Sequence, residues 1–199
     1  MLKRLFDTVF SFIGLVVFLP LMATIVILIR KEDGGSVFYR GIRVGRYERP
    51  FKISKFRTMV VNAEKLGGPS TAGDDPRVTK IGRFLRKYKL DELPQLINVL
   101  KGEMSFVGPR PEVPMEVEAY NDEERRILTV NPGITDYASL KFHNEGEILR
   151  GSSDPHQTYR EKIRPEKLRL ALKYVEEQSF SVDLKMIFET IKTLVKTRT

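Results

Sequence analysis

From Thr8 to Ile29 the chain carries 22 consecutive uncharged residues, most of them apolar, with Lys3-Arg4 ahead of the run and Arg30-Lys31 behind it. At ~1.5 Å of rise per residue, such a run forms a helix long enough for a hydrocarbon core of ~30 Å. Pro20 stands in its middle, where it removes a backbone donor and crowds the preceding turn, and Ser11 and Thr24 are poorly placed to repair the gap. Positive residues mark the cytoplasmic side of a membrane. Equal basic flanks therefore give a spanning segment no preferred direction, whereas a hairpin that returns both ends to one face satisfies both. The pattern predicts a re-entrant, membrane-embedded helix over residues 1–30, broken at Pro20, with a single-pass anchor as the alternative. A cleaved signal peptide fits poorly: the run exceeds the usual ~7–15 residues and passes through Leu21-Met22-Ala23-Thr24-Ile25-Val26 without a small-residue cleavage site.

Beyond residue 30 the apolar positions come in short groups and no second run approaches spanning length. Val37-Phe38-Tyr39 and Phe51 to Phe56 read as strands separated by a Gly- and Pro-punctuated loop from Gly41 to Pro50. A short helix leads into residues 67–76, Gly-Gly-Pro-Ser-Thr-Ala-Gly-Asp-Asp-Pro, whose low apolar content predicts a flexible surface loop of the kind that lies over a site. Arg77, Lys80, Arg83 and Arg86 then recur at every third residue while Val78, Ile81, Phe84 and Leu85 occupy another side. This is a basic amphipathic helix, suited either to a membrane interface or to a core with a solvated basic face. Ser181 is the expected N-cap of a last helix in which Leu184, Ile187, Phe188, Ile191, Leu194 and Val195 form one stripe beside Lys185, Lys192 and Lys196. Residues 31–199 are enough for one compact domain. The predicted fold class is α+β and mostly helical: a re-entrant membrane helix, then a cytoplasmic domain of short strands and interfacial amphipathic helices.

Composition narrows the partners. The chain has no cysteine, hence no disulfide framework and no thiolate metal site, which suits a reducing cytoplasm. Thirty-four Lys and Arg stand against 26 Asp and Glu, a net charge of +8. Beside an apolar anchor this excess favours anionic lipid and phosphorylated substrates. Nucleic acid is not expected: there is no Trp, and the basic residues accompany acids instead of interleaving with an aromatic platform.

The candidate chemistry centres on Asp91-Glu92 in Lys-Leu-Asp-Glu-Leu-Pro-Gln-Leu-Ile-Asn-Val-Leu. Pro94 is tolerated only in the first turn of a helix, so a helix running through Leu100 is expected to begin near Asp91. A carboxylate at that positive end stays ionised and can act as metal ligand or nucleophile beside a phosphate held by the same backbone donors. The plainer reading makes Asp91 an N-cap and Glu92 a first-turn acid. Neighbours on a helix diverge by about 100°, so the two are not a facing glycosidase pair. Downstream, Pro109 and Pro111 bracket Arg110, which limits where its guanidinium points and suits bidentate phosphate binding; a structural turn is the alternative.

These segments together resemble the bacterial sugar transferase family, the monotopic polyprenol-phosphate phosphoglycosyl transferases. The resemblance runs through Lys3-Arg4-Leu5-Phe6-Asp7 and the proline-containing membrane helix, Phe51 to Met59, Leu90-Asp91-Glu92-Leu93, Asn98 to Pro111, Pro132-Gly133-Ile134-Thr135 and Asp183-Leu184-Lys185. It implies transfer of a sugar 1-phosphate from a nucleotide diphosphate sugar, most often a UDP-sugar, to polyprenol (undecaprenyl) phosphate. Such an enzyme initiates a surface glycan at the cytoplasmic face of the bacterial inner membrane. Asp91 is then the implied nucleophile, forming an aspartyl phosphosugar, and also the implied ligand of Mg2+. Glu92 is implied to assist the second step, by helping to bind the metal or by accepting a proton. Lys55, Arg57, Arg86 and Arg110 are the implied phosphate-binding cations. Membrane lipid and downstream glycosyltransferases are the other expected partners, with homo-oligomerisation left open. A catalytically inert scaffold for glycan assembly is the competing reading.

The chain departs from the family pattern after Gly133-Ile134-Thr135, where Asp136-Tyr137-Ala138-Ser139 replaces the usual Gly, aromatic and Ala-Gln, and His143 stands where Arg is common. The readings left open are a different sugar, a phosphate contact through His143, or compensation by Lys141. His156, in an Asp-Pro-His-Gln helix start, is expected on the surface.

Overall fold

The computed structural model describes residues 1–68 and 70–196. Its longest element is α1, Leu2–Asp33, which ends where Gly34, at φ 71°, takes the left-handed conformation and donates its N–H to the Arg30 carbonyl. The apolar run thus forms one long helix, as its length requires. The helix continues through Pro20, so the break expected there is absent from the secondary structure. Pro20 and Val16 are both exposed, which keeps the missing backbone bond out of the protein core, and Thr24 Oγ1 donates to the Pro20 carbonyl at 3.0 Å.

Both halves of α1 bind the same domain. Lys3 Nζ donates to the Val107 carbonyl (2.9 Å) and the Tyr174 hydroxyl (3.0 Å) and pairs with Asp183 (2.5 Å). Arg4 caps the far end of another helix through the carbonyls of Val99 (2.6 Å) and Leu100 (2.7 Å), and Asp7 accepts from the Phe106 N–H at 3.2 Å. Lys3 and Arg4 are therefore a clasp as well as a charged flank. In the second half Met22, Ile25 and Ile29 pack on Val37, Phe56 and Leu85, and Asp33 is ion-paired with Arg57. Between these anchor points Phe12, Ile13, Val16, Val17, Phe18 and Leu19 are exposed.

Among the described residues, three two-stranded pairs follow. β1 (Phe38–Tyr39) pairs antiparallel with β4 (Lys55–Phe56), β2 (Ile42–Val44) antiparallel with β3 (Pro50–Lys52), and β5 (Ser105–Val107) parallel with β6 (Gly133–Thr135). The single strand expected over Phe51 to Phe56 is thus two. The division falls at Ile53-Ser54, where the buried Asn98 amide replaces a strand partner: Oδ1 accepts from the Ser54 N–H at 2.9 Å and Nδ2 donates to the Lys52 carbonyl at 2.9 Å. Across the β2–β3 turn, Tyr47 and Glu48 both sit at positive φ.

α2 (Lys80–Lys87) is capped by Thr79, whose hydroxyl accepts from the Gly82 N–H at 2.9 Å. Arg77, expected in this basic helix, lies before it and is buried, holding Asp75 and the carbonyls of Ala63 and Gly68. The expected loop over 67–76 is docked: Ala72 is buried with Leu149, Tyr159 and Ile163, and the Gly73 N–H donates to the Gly146 carbonyl at 2.7 Å. Pro69 within that loop lies outside the described residues. After α3 (Gln95–Lys101) come α4 (Pro114–Glu118), α5 (Asp122–Arg125), α6 (Tyr137–Lys141), α7 (Glu145–Ile148) and α8 (Pro155–Thr158). A π-helical turn over Tyr159–Ile163 leads into α9 (Arg164–Glu177) and α10 (Phe180–Lys196). His156 does open a helix, with its N–H on Asp154, but it is half-buried instead of free: its ring lies 3.1 Å from Ser70 Oγ and 3.6 Å from Glu116. α10 starts one residue before Ser181, and Ser179 Oγ accepts from the Val182 N–H in the capping role expected of Ser181. Leu184, Phe188, Ile191 and Val195 form an exposed apolar stripe along α10.

Candidate active site

The site is built where α2, β4, the entry to α3 and the loop after β5 meet. Thr58 and Gly82 set the first approach: a Cβ on Gly82 would lie 2.1 Å from the Thr58 carbonyl oxygen, so only glycine lets α2 cross this chain so closely. The crossing brings Arg86 Nε to Thr58 Oγ1 at 2.8 Å. α2 then stops, and Lys89, at φ 55°, turns the chain into a 3-10 turn, Leu90–Glu92. The α-helix proper begins only at Gln95, with Pro94 at its N-cap. The helix expected to start near Asp91 is therefore a 3-10 turn followed by α3, because Pro94 supplies no N–H for a bond back to Leu90.

On that turn Asp91 is buried and its Oδ1 has no hydrogen-bond partner among the described residues. Glu92 Oε1 accepts from Lys55 Nζ at 2.8 Å and from Arg110 Nη2 at 2.5 Å. Arg110 arrives from the segment after β5. There the Gly108 N–H donates to the Thr135 carbonyl (3.0 Å) and the Gly133 N–H to the Pro109 carbonyl (2.9 Å), an approach too close for any side chain at Gly108. Asn98, by fixing the β3–β4 junction, positions Lys55. Three cations, Lys55, Arg86 and Arg110, thus surround two carboxylates.

The electrostatics separate the two acids. Burial pushes the Asp91 carboxyl above its ordinary range, against the opposing charges of Lys55 and Arg86. Burial also acts to raise Glu92, but Arg110 and Lys55 outweigh it and hold that carboxyl well below its ordinary range. Arg110 is raised in turn, chiefly by the Glu92 charge, while burial lowers Lys55 and Arg86. Glu92 is the fixed anion that stores the cations, and Asp91 is the unsatisfied one. An incoming polyanion can draw Lys55 and Arg110 from Glu92 and offers Arg86 a new partner.

Arg57 and His143 are not brought into this cluster. Arg57 closes α1 onto β4 through Asp33 and the carbonyls of Ser36 and Met59, the last at 3.1 Å. His143 is exposed at the end of α6, with Nδ1 3.2 Å from the Leu140 carbonyl, and Lys141 pairs with Glu166 at 2.6 Å. Among the described residues no three His, Cys, Asp or Glu side chains gather as a metal cage. What is present suits Mg2+, which keeps several waters and takes one or two carboxylates alongside substrate phosphate: the unpaired Asp91 Oδ1 is a hard oxygen donor without competing partners. Thr58, Asn98 and Gln95 were not distinguishable from sequence; Gln95 and Asn98 stand in the quoted segment, but only burial and partners mark them out.

A family model described as bacterial sugar transferase matches residues 1–197. The exopolysaccharide production protein ExoY of Sinorhizobium fredii (strain NBRC 101917 / NGR234) is 34% identical, the match covering 98% of this chain and 86% of the relative. The UDP-N-acetylgalactosamine-undecaprenyl-phosphate N-acetylgalactosaminephosphotransferase of Aeromonas hydrophila is 35% identical over 98% of this chain and 44% of its own length. The UDP-glucose:undecaprenyl-phosphate glucose-1-phosphate transferase of Escherichia coli (strain K12) is 34% identical over 96% of this chain and 39% of its own length.

Proposed function

The chain belongs to the bacterial sugar transferase family, and from that premise we propose that it moves a sugar 1-phosphate from a UDP-sugar to undecaprenyl phosphate at the cytoplasmic face of the membrane, initiating a surface glycan. The observation that carries this reading is the convergence of Lys55, Arg86 and Arg110 on a buried Asp91-Glu92 pair whose Asp91 Oδ1 has no partner. Such a site has more positive charge than it uses, which a diphosphate supplies with the opposite sign.

In the first step an Asp91 carboxylate oxygen attacks the sugar-linked phosphorus. The new P–O bond forms as the bond to the nucleoside phosphate breaks, and nucleoside monophosphate leaves. In the second step an oxygen of undecaprenyl phosphate attacks the same phosphorus, breaks the acyl-phosphate bond and frees Asp91. Lys55, Arg86 and Arg110 bind the phosphate oxygens during both. Glu92 gains basicity when its cations turn to the substrate, and it then accepts the proton of an incoming monoanionic phosphate. Asp91 is the residue that would hold Mg2+, and the bound ion would neutralise phosphate charge.

The placement of α1 supports a one-leaflet reading. From the Asp7 contact to the Met22 contact the helix rises only ~22 Å at ~1.5 Å per residue, less than a ~30 Å hydrocarbon core, yet both contacts are to the same domain. A straight span would detach one of them. The exposed stripe of α10, and Phe84 among Lys80, Arg83 and Lys87 on α2, extend the apolar and basic surface that would meet lipid headgroups. The test is a panel of nucleotide sugars with undecaprenyl phosphate and Mg2+, read as nucleoside monophosphate release. Release with a UDP-sugar is expected, and an inactive panel would favour the inert scaffold.

A further inference from the structure

Arg86 is half-buried on α2, and Asp91, Asp75 and Glu92 all lie close enough for their charges to act on its guanidinium. Among the described residues it is ion-paired with none of them. Asp75 accepts from Arg77 through both oxygens, and Glu92 holds Lys55 and Arg110. The one hydrogen bond that the Arg86 side chain makes among the described residues runs from Nε to Thr58 Oγ1, at 2.8 Å. A guanidinium among three acids is thus tethered by a neutral hydroxyl, which fixes its Nε edge without cancelling its charge. Its Nη1 and Nη2 donors stay open, the fork that matches two oxygens of a phosphate.

The hydroxyl is held in place independently of Arg86. Thr58 is buried, the Thr79 N–H donates to its carbonyl at 3.1 Å, and the Val60 N–H donates to the Arg77 carbonyl at 2.9 Å. The backbone of residues 58–60 is therefore bonded to that of residues 77–79, and Gly82 brings α2 against the same Thr58 carbonyl. Arg86 stands about one helical turn after Gly82, so the crossing delivers it to the Thr58 side chain. Backbone makes the crossing, and what the threonine side chain adds is the acceptor for Nε.

We propose that Thr58 is a positioning residue: its hydroxyl orients Arg86 so that the free Nη fork meets the diphosphate of the incoming nucleotide sugar beside Asp91. The inference rests on the phosphoglycosyl transfer proposed above and adds to it the residue that aims one of its cations. An acid in the place of Thr58 would hold Arg86 as firmly but would neutralise the charge that phosphate needs. Serine can supply the same acceptor, whereas valine, of the same shape, cannot.

The test uses the full chain in detergent or lipid nanodiscs and takes two readings: kcat/KM for a UDP-sugar with Mg2+, and the Kd for UDP by titration calorimetry, which needs no turnover. Thr58→Val keeps the shape of the side chain and deletes the acceptor. It is expected to lower kcat/KM and UDP affinity by about tenfold to a hundredfold, the range of a hydrogen bond made to a charged group. Thr58→Ser keeps the acceptor and is expected within about threefold of wild type. In an Arg86→Lys background, where no Nε–H is left to orient, Thr58→Val is expected to change the UDP Kd by less than about twofold. Thr58→Ala, which also lacks the acceptor, takes the place of the Val variant in every arm should that one fail to fold. A Thr58→Val protein within about twofold of wild type overturns the inference. So does a loss that Thr58→Ser fails to rescue, or one that persists in the Arg86→Lys background, because either marks a packing role. These outcomes leave the phosphoglycosyl transfer standing as long as the wild type turns over a UDP-sugar; a wild type that turns over none refutes the functional reading and this one together.

Discussion

Asp91→Asn should make the protein more stable and catalytically dead at once. The substitution keeps the size of the side chain and removes the charge. In the folded protein the Asp91 carboxyl is buried, one oxygen has no donor, and burial raises its pKa above the ordinary value of about 3.8 despite Lys55 and Arg86. The sign follows from proton linkage. Below about pH 3.8 both folded and unfolded chains hold the proton and the carboxyl imposes no penalty. As pH rises from there to the raised folded value, the unfolded chain releases its proton first, stability falls, and above that value the full penalty remains. Removing a strained functional charge typically gains about 0.5–2 kcal/mol, and each kcal/mol moves the midpoint of a chain of this size by about 2–4 °C. Scanning fluorimetry across pH should therefore find Asp91→Asn about 1–8 °C more stable than wild type at neutral pH, the gap closing towards pH 3.8. A variant less stable at neutral pH, or a gap that widens as pH falls, would refute the reasoning by showing that the ionised Asp91 is a net structural partner of Lys55 and Arg86.

Asn98→Ala removes bonds to the Ser54 N–H, the Lys52 carbonyl and Glu103, leaving buried backbone unpaired; a loss of about 3 kcal/mol, or about 6–12 °C, is expected by thermal melting, and a shift under 2 °C would contradict the role given to the β3–β4 junction. Lys89 is at φ 55° immediately before the turn that carries Asp91, so Lys89→Gly should gain about 0.5–1 kcal/mol, whereas Lys89→Val should lose stability; equal melting of the two variants would mean the turn carries no such strain. The chain has no cysteine of its own, so Leu2→Cys reports the N-terminus cleanly: an impermeant maleimide should label it only after spheroplasts are opened. Labelling from outside in intact spheroplasts would refute the one-leaflet placement of α1.

What sequence can reveal of this molecule is whatever a local pattern fixes. The length of α1, the amphipathic stripe of α10 and the rigid presentation of Arg110 between two prolines follow from spacing and backbone chemistry alone. The turn that carries Asp91 is legible only in part: Pro94 marks a helix start nearby, but the helix begins at Gln95 and Asp91 stands on the 3-10 turn before it. Long-range partners are not. Arg57 and Lys55 are two residues apart in one segment, and nothing local says that one will close on Asp33 and the other on Glu92. Lys3 and Arg4 read as a positive flank, but their reach to Asp183 and to the carbonyls ending α3 depends on elements about a hundred residues away or more. The split of the strand at Ile53-Ser54 depends on one buried amide, Asn98, and no propensity at those positions announces it.

The most direct test of the central claim is a rapid quench of the full chain with a radiolabelled UDP-sugar and Mg2+ in the absence of undecaprenyl phosphate, followed by peptide mapping. Sugar phosphate is expected on the peptide containing Asp91, formed together with nucleoside monophosphate, discharged on addition of undecaprenyl phosphate and absent from Asp91→Asn. Label on another peptide, or undiminished turnover by Asp91→Asn, would contradict it.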